Sequence, residues 1–286
     1  MTYAIIQLMR PHHYIKNGFI LLPVFFGLKW FNLTLMAPLL VTFGAFSLVA
    51  SAIYIMNDII DIDRDRAHPI KKNRPLPAGK IPLNLAWALS FGLATVGLWI
   101  ALLNQVWIPF AIYIVLNILY SLKLKHIPII DCFIIATGFI IRLVIGASVS
   151  HVELSMWIVI LTFLLALFVA FSKRKGDLAN VDVDSTARPV LAEYNQEFLN
   201  ICMAIMGSVV IVAYIMYTTS PTVITNTNSN YVYATSIFVV FGILRYLKIT
   251  CFDQTTGSPT KVLIQDVWLQ MTIFAWLISF AILLYQ

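Results

Sequence analysis

The chain has 286 residues, of which 60% are hydrophobic and only 11% are charged, and its mean hydropathy is +0.87. Because these values lie far from those of soluble domains, the composition excludes an ordinary soluble enzyme and predicts one polytopic membrane domain over residues 1–286. The net charge of +6 does not indicate a nucleic-acid partner, since the basic residues fall where membrane topology places them.

Apolar runs separated by charged or turn-rich breaks predict nine membrane-spanning helices and therefore an all-α fold. A helix needs roughly 20 apolar residues to cross a bilayer, and the first and fourth runs are short by that measure. In chain order the predicted spans are 14–28, 33–57, 83–103, 107–122, 128–149, 154–172, 197–217, 231–247 and 262–285.

The distribution of lysine and arginine predicts the orientation of these spans. All but two of the 19 basic residues precede or open the first span or follow an even-numbered one, the exceptions being Lys29 and Arg142. Cytoplasmic loops accumulate such residues. We therefore expect a cytoplasmic amino terminus, a carboxyl terminus on the outer side, and any chemistry to face the cytoplasm.

The second predicted span ends in a cluster of aspartates. If the helix continues, Asp58, Asp61 and Asp65 follow one another at i, i+3 and i+7 and share one face, whereas Asp63 points away. Carboxylates this close require a cation, and a divalent ion such as Mg²⁺, held together with substrate phosphates, suits the arrangement. The alternative is a solvated loop in which the aspartates pair with nearby arginine and lysine side chains.

Basic groups follow the even-numbered spans and are candidates for binding phosphate. Each group taken alone is equally well explained as a topology signal. Together with the carboxylates, they predict a binding site for a metal ion and several phosphates. The groups are Lys71, Lys72 and Arg74, then Lys123 and Lys125 after Tyr120, then Lys173, Arg174 and Lys175.

The fifth predicted span carries two charged residues at membrane depth. Asp131 lies at its start and Arg142 follows 11 residues later, which brings both to nearly the same helical face. Charged groups inside a membrane face a cavity or a partner. The sequence leaves open whether Arg142 marks an interior polar pocket or a structural ion pair.

Residues 57–65 read NDxxDxxxD, which resembles the first acidic motif of the UbiA superfamily of intramembrane prenyltransferases, whose members have nine transmembrane helices. Within that superfamily the chain is most similar to the branch of decaprenyl-phosphate (polyprenyl-phosphate) phosphoribosyltransferases. The resemblance extends over roughly the first two thirds of the chain. Its motifs are RPHHYIKN, DRAHPIKKNRPLPAG, YSLKLKHIPIID, SKRKGDL and RPVLAEYN.

The chain departs from typical members at the second aspartate motif, after the sixth span. Here the sequence reads SKRKGDLANVDVD, with Lys173 and Arg174 first and Asp177, Asp182 and Asp184 at spacing that does not match. Cations in place of carboxylates suit a second substrate that is itself a phosphate.

The resemblance implies transfer of the 5-phosphoribosyl group from 5-phosphoribosyl 1-diphosphate to a polyprenyl phosphate, with release of diphosphate. It implies an enzyme of the cell (inner) membrane whose product serves cell-envelope glycan synthesis. Mg²⁺ would lie on Asp58, Asp61 and Asp65, which are the expected catalytic residues. The expected substrate-binding residues are Asn57, Lys16, Arg66, Lys72, Arg74, Tyr120, Lys123, Lys125, Asp131, Arg142, Lys173, Arg174 and Asp177.

Two other functions compete with this interpretation. A prenyltransferase that moves a prenyl group from its diphosphate to an aromatic or other small acceptor would use the same first motif, but it predicts a clean second aspartate motif. A transporter would use Asp131 and Arg142 as a polar path, but it predicts inverted repeats, which the sequence does not show. Prenyl length and homo-oligomer formation stay open.

Overall fold

The computed structural model describes residues 1–27, 29, 32–67, 71–179, 189–252 and 259–285, and within these ranges all regular secondary structure is helical. Asp182, Asp184 and parts of two motifs, DRAHPIKKNRPLPAG and RPVLAEYN, lie outside them. The α-helices are α1 (Thr2–Met9), α2 (Leu22–Phe26), α3 (Leu33–Ile60), α4 (Ile62–Ala67), α5 (Leu83–Leu103), α6 (Trp107–Leu122), α7 (Ile130–Ser150), α8 (Met156–Ala179), α9 (Gln196–Thr218), α10 (Pro221–Thr227), α11 (Ser236–Phe252), α12 (Pro259–Gln265) and α13 (Val267–Tyr285).

The all-α prediction is confirmed, whereas the count of nine spanning helices is not. In the described ranges, six helical stretches are long and apolar enough to cross a membrane, and α6 and Val267–Leu283 are shorter apolar helices. The first predicted span differs most, since it forms a 3₁₀ helix over Pro11–Leu21 followed by the short α2. Pro11 and Pro23 open these two elements and lack a backbone N–H for a continuous α-helical ladder.

Contacts between Cα atoms divide the chain into two compact units, residues 1–154 and 155–286. The single domain expected from the sequence stays a prediction. In the first unit, α3 packs along α5 and is also contacted by α6, α7 and the 3₁₀ helix. Its core includes Phe46, Val49, Phe110 and Ile145, all excluded from solvent. The helix α3 thus lies at the centre of this unit.

The second unit is built mainly from α8, α9, α11 and α13. Helices α8 and α9 pack along one another, and α11 contacts both α9 and α13. Polar side chains also connect these helices, because the Ser172 and Tyr246 hydroxyls lie 2.9 Å apart and Arg245 binds Asp266 through its Nε and Nη2 atoms.

A glycine fixes the 3₁₀ helix against α7 in the first unit. A Cβ atom built on Gly146 would lie 1.9 Å from the backbone carbonyl oxygen of Ile20, a separation that real Cβ atoms do not show. The two backbones can approach this closely only where the side chain is absent. The position of the whole segment Pro11–Leu21 relative to α7 therefore depends on this residue.

We expect Gly146→Ala to destabilise the protein by about 1–3 kcal/mol, since the added methyl group forces two backbones apart. The change is measured as the melting temperature of the purified protein in detergent. Gly44→Ala in α3 is the matched control, because nothing lies within 4 Å of its Cβ position. The control should melt at or slightly above the wild-type temperature, since alanine favours helix. Equal melting of the two variants would contradict the close approach.

Candidate active site

The aspartate cluster lies where α3 ends and α4 begins. The helix breaks only at Asp61, whose backbone is not helical, while the Asp65 N–H still donates to the Asp61 carbonyl at 2.8 Å. The side chains of Asp58 and Asp65 are 5% and 4% exposed, whereas Asp63 is 90% exposed and pairs with Arg66. Asp58 and Asp65 therefore face inward and Asp63 faces away, in agreement with the predicted helical spacing.

Arginine side chains neutralise the two buried carboxylates. Arg74 Nη1 donates to Asp65 Oδ2 at 2.6 Å and to Asp58 Oδ1 at 3.2 Å, so that one guanidinium bridges both aspartates. Arg10 forms a second ion pair with Asp58, and Lys71 Nζ lies 3.9 Å from Asp65 Oδ1. The two carboxylates are thus held together by cations.

A compact turn after α4 returns Arg74 to the cluster. The Lys80 N–H donates to the Pro75 carbonyl at 2.9 Å and the Ala78 N–H to the Arg74 carbonyl at 3.0 Å. Gly79 takes a positive φ of 69°, which glycine adopts without a steric cost. The RPLPAG sequence therefore folds the chain back so that Arg74 faces the carboxylates.

Asp61 and Asn57 connect the cluster to α6 and the segment that follows it. Lys125 Nζ donates to Asp61 Oδ1 at 2.8 Å, and Arg64 lies 3.7 Å from the same oxygen. The Ser121 hydroxyl donates to Asn57 Oδ1. Each of the three aspartates of the NDxxDxxxD pattern therefore has at least one cationic partner.

A polar network extends from the cluster into the interior. Arg142 is only 5% exposed, and it donates to Asn17 Oδ1 at 3.0 Å, to the Gly138 carbonyl at 2.7 Å and to the Tyr113 hydroxyl at 3.3 Å. Its guanidinium also lies over the Phe46 ring, 4.8 Å from the centroid. No carboxylate of the described residues pairs with it. Of the two interpretations left open by the sequence, a structural ion pair therefore has no partner in these ranges, and the contacts place Arg142 in an interior polar network.

A stripe of polar residues on α3 lies beside this network, and the sequence analysis missed it. Ser47 accepts a hydrogen bond from Asn17 Nδ2 at 2.9 Å, and the hydroxyls of Ser51 and Tyr14 lie 2.8 Å apart. With Tyr54 and Asp58, the two serines follow the spacing i, i+4, i+7 and i+11, which places all four on one helical face. That spacing within an apolar run was the available signal.

Arg10 was missed as well, although it lies in the RPHHYIKN motif. It precedes the first span, where a single arginine is indistinguishable from a topology signal. In the structure it pairs with Asp58 and lies over the Tyr54 ring, 5.5 Å from the centroid.

The histidines beside the site contribute little positive charge. Burial, with Lys125 and Arg64 nearby, lowers the pKa of His126, and burial with Arg10 and Lys16 nearby lowers the pKa of His12. Both shifts disfavour the charged form of these side chains. The ion pairs of the site are made by arginine and lysine side chains.

The sequence profile of the UbiA prenyltransferase family matches residues 20–260. The chain belongs to the UbiA prenyltransferase family. It is 29% identical to the decaprenyl-phosphate phosphoribosyltransferase of Mycolicibacterium smegmatis, over 96% of this chain and 90% of that protein. It is 27% identical to the enzyme of the same name from Corynebacterium glutamicum, over 99% of this chain and 87% of that protein.

Solved structures of UbiA proteins share the fold. The structure of a UbiA homologue from Archaeoglobus fulgidus bound to GPP and Mg²⁺ superposes with a TM-score of 0.72 at 16% identity, covering 99% of this chain and 100% of that one. A structure of an A. fulgidus homologue bound to DMAPP and Mg²⁺ gives a TM-score of 0.70 at 17% identity, over 98% and 99% of the two chains. With its apolar helices, the UbiA-family chain is a multi-pass membrane protein.

The predicted site residues of this UbiA protein fall into separate groups. The first unit brings together Asn57, Asp58, Asp61, Asp65, Arg74 and Lys125. It also contains Arg142 with its interior polar contacts. Exposed positions include Arg66, Lys72 and Lys123, and Tyr120 is partly buried on α6. Asp131 is fully buried at the start of α7. In the second unit, Arg174 is buried and binds Asp177 at 3.1 Å, next to the partly buried Lys173.

The donor chemistry of the cluster fits a hard divalent cation, although no ready-made metal site is visible. Within the described ranges, no three histidine, cysteine, aspartate or glutamate side chains form a group that could hold a metal ion. Asp58 and Asp65 nevertheless converge on one positive group, the Arg74 guanidinium. Carboxylate oxygens are the ligands that Mg²⁺ prefers. Metal binding would therefore require an exchange of Arg74 for the ion.

Removing the bridging arginine should destabilise the protein. Arg74→Gln leaves Asp58 and Asp65 facing each other with less neutralising charge, and we expect a loss of about 1–3 kcal/mol. The measurement is thermal unfolding in detergent with a chelator present. The control is Arg66→Gln, which breaks only the exposed pair with Asp63 and should change stability by less than about 1 kcal/mol. A wild-type melting temperature for Arg74→Gln would show that the carboxylates do not depend on Arg74.

Proposed function

We propose that this UbiA-family protein transfers the 5-phosphoribosyl group from 5-phosphoribosyl 1-diphosphate to a polyprenyl phosphate such as decaprenyl phosphate. The observation that carries the proposal is similarity to decaprenyl-phosphate phosphoribosyltransferases over nearly the whole chain. The site supports it, because buried carboxylates alternate with arginine and lysine side chains. Such a set of charges suits a substrate that combines several phosphates with a metal ion.

Mg²⁺ is the proposed cofactor, and Asp58, Asp61 and Asp65 are the residues that would hold it. When bound, the ion would neutralise negative charge on the departing diphosphate. Two structures of a UbiA homologue from A. fulgidus, which share the fold, contain Mg²⁺. In the proposed complex, Arg10 and Arg74 are released from the carboxylates and become available to the diphosphate oxygens. The same side chains would thus stabilise the site before and after substrate binds.

The proposed reaction needs positioning more than proton transfer. An oxygen of the polyprenyl phosphate forms a bond to C1 of the ribose while the bond from C1 to the diphosphate oxygen breaks, and diphosphate leaves. The attacking phosphate monoester has a second pKa of about 6 and is largely ionised at pH 7. No general base is needed for this attack. Catalysis then comes from alignment and charge stabilisation by fixed cations.

The predictions from the sequence about further substrate-binding residues and about membrane orientation belong to the same proposal. Lys72, Lys123, Lys173, Arg174 and Asp177 stay predicted substrate-binding residues. We propose a cytoplasmic amino terminus, an outer carboxyl terminus and an active site open to the cytoplasm, since a water-soluble sugar diphosphate must enter from that side. The product would supply cell-envelope glycan synthesis.

The test of this function incubates purified protein in detergent with Mg²⁺ and labelled 5-phosphoribosyl 1-diphosphate, with and without a polyprenyl phosphate. The measurement is the amount of label that enters the lipid phase. Asp58→Asn should lower transfer on the order of a hundredfold, because a carboxylate at the reacting diphosphate is lost. Asp63→Asn is the matched control within the same motif, since Asp63 is exposed and faces away. Transfer by this control should stay within about twofold of wild type.

Absence of label in the lipid phase from folded wild-type protein would overturn the phosphoribosyl proposal. The same preparations, supplied with labelled prenyl diphosphate and a small aromatic acceptor, then test the competing prenyltransferase function. Label in a prenylated acceptor would assign that activity instead.

Removal of divalent metal should abolish transfer. We expect a chelator to reduce label incorporation to background and added Mg²⁺ to restore it, because the carboxylates alone repel the diphosphate. The measurement is transfer rate against free Mg²⁺ concentration in buffered solutions. Full activity with excess chelator would exclude the proposed metal role of Asp58, Asp61 and Asp65.

A further inference from the structure

Two polar contacts join the end of α3 to the end of α6 and the segment that follows it. The Ser121 hydroxyl donates to Asn57 Oδ1, and Lys125 Nζ donates to Asp61 Oδ1 at 2.8 Å. Both contacts join residues 64 positions apart, so they keep the same register. One helical turn of the NDxxDxxxD pattern is therefore held at both of its ends by the segment from Ser121 to Lys125.

The hydroxyl proton of Ser121 has two acceptors within reach. Ser121 is only 3% exposed, and its Oγ lies 2.7 Å from the Asn117 carbonyl as well as beside Asn57 Oδ1. A hydroxyl has one proton to donate. The Asn117 carbonyl already accepts the Ser121 backbone N–H in the α6 ladder, whereas Asn57 Oδ1 has no other donor among the described residues. The proton therefore goes to Asn57.

This contact determines which end of the Asn57 amide stays available. Asn57 is partly buried and lies beside Asp58 and one turn before Asp61. An asparagine side chain carries one acceptor oxygen and two N–H donors. The oxygen is bound to α6, and no residue in the described part of the chain accepts a hydrogen bond from Nδ2. Two donors beside the aspartate cluster are thus left for a ligand that carries acceptor oxygens.

We propose that Ser121 is a positioning residue, whose hydroxyl holds Asn57 Oδ1 against α6 and leaves the two Nδ2 donors for the oxygens of the diphosphate. The assignment rests on the proposed function, in which Asn57 binds substrate. Without Ser121, the amide can turn by half a rotation, because the terminal torsion of asparagine is broad and roughly two-fold. The amide oxygen would then face the diphosphate and repel it. Ser121 itself touches no substrate.

The test is a double-mutant cycle on the binding of inorganic diphosphate with Mg²⁺, measured by calorimetry on purified protein in detergent. The variants are Asn57→Ala, Ser121→Ala and the two combined, with Ser121→Thr as the conservative variant that keeps the hydroxyl. Ser90→Ala is the matched control. Ser90 is also buried and donates to α3, but at the Ala52 carbonyl, at 2.8 Å.

We expect Asn57→Ala to weaken diphosphate binding about tenfold or more, because a hydrogen bond to a charged group is lost. Ser121→Ala should weaken it about fivefold, as the loss of one neutral hydrogen bond predicts. Ser121→Thr and Ser90→Ala should bind diphosphate like wild type. In the Asn57→Ala background, Ser121→Ala should have no further effect, since a residue that acts through Asn57 contributes nothing once that side chain is absent.

Three results would contradict the positioning role. These are unchanged affinity in Ser121→Ala, independent losses that add up in the double variant, and Ser121→Thr binding as weakly as Ser121→Ala. Failure of wild type to bind diphosphate with Mg²⁺ at millimolar concentration would also overturn the assignment. Ser121→Ala should melt like Ser90→Ala, because each variant loses one buried hydroxyl contact with α3. A much lower melting temperature would mean that Ser121 stabilises the fold instead.

The transfer assay separates this assignment from the proposed function. Coupled losses of diphosphate binding, without transfer of label by wild type, would overturn only the proposed function. Transfer of label, with independent effects of the two substitutions on binding, would overturn only the role of Ser121.

Discussion

The bridge from Arg74 to Asp58 and Asp65 is the interaction on which the site depends. Two buried carboxylates about two helical turns apart on one face repel one another, and at low dielectric that repulsion is large unless a cation lies between them. Arg74 supplies this cation from a turn that follows α4, and Arg10 adds a second from the other side of Asp58. The loops around the end of α3 are therefore positioned by charge as much as by apolar packing.

This dependence explains how a membrane protein can hold a charged site at the edge of its apolar core. The helix α3 carries Asp58 near its end and a polar stripe along the same face, and it also contacts α5, α6 and α7. Asp61 and Asp65 follow directly after α3, and each of the three aspartates has a cationic partner.

The sequence predicted the helices and the inward or outward orientation of the aspartates better than it predicted which side chains form ion pairs with them. The all-α fold, the inward face of Asp58 and Asp65 and the exposure of Asp63 follow from hydropathy and helical periodicity, which are local. The pairing of Arg10 with Asp58 and of Lys125 with Asp61 joins residues 48 and 64 positions apart, and such contacts depend on tertiary packing. The 3₁₀ geometry of Pro11–Leu21 could not be predicted either, because an apolar run does not distinguish a 3₁₀ helix from an α-helix.

The contact between Gly146 and Ile20 has a consequence for the alignment of Arg142 with Asn17. Gly146 lies one helical turn beyond Arg142, and Ile20 lies about one turn beyond both Lys16 and Asn17. The backbone contact therefore sets the position of Asn17 along the axis of α7, and with it the geometry of the hydrogen bond from Arg142. A methyl group at Gly146 would shift the two segments past each other without touching a charged group, so the orientation of a buried arginine depends on a side chain that is absent.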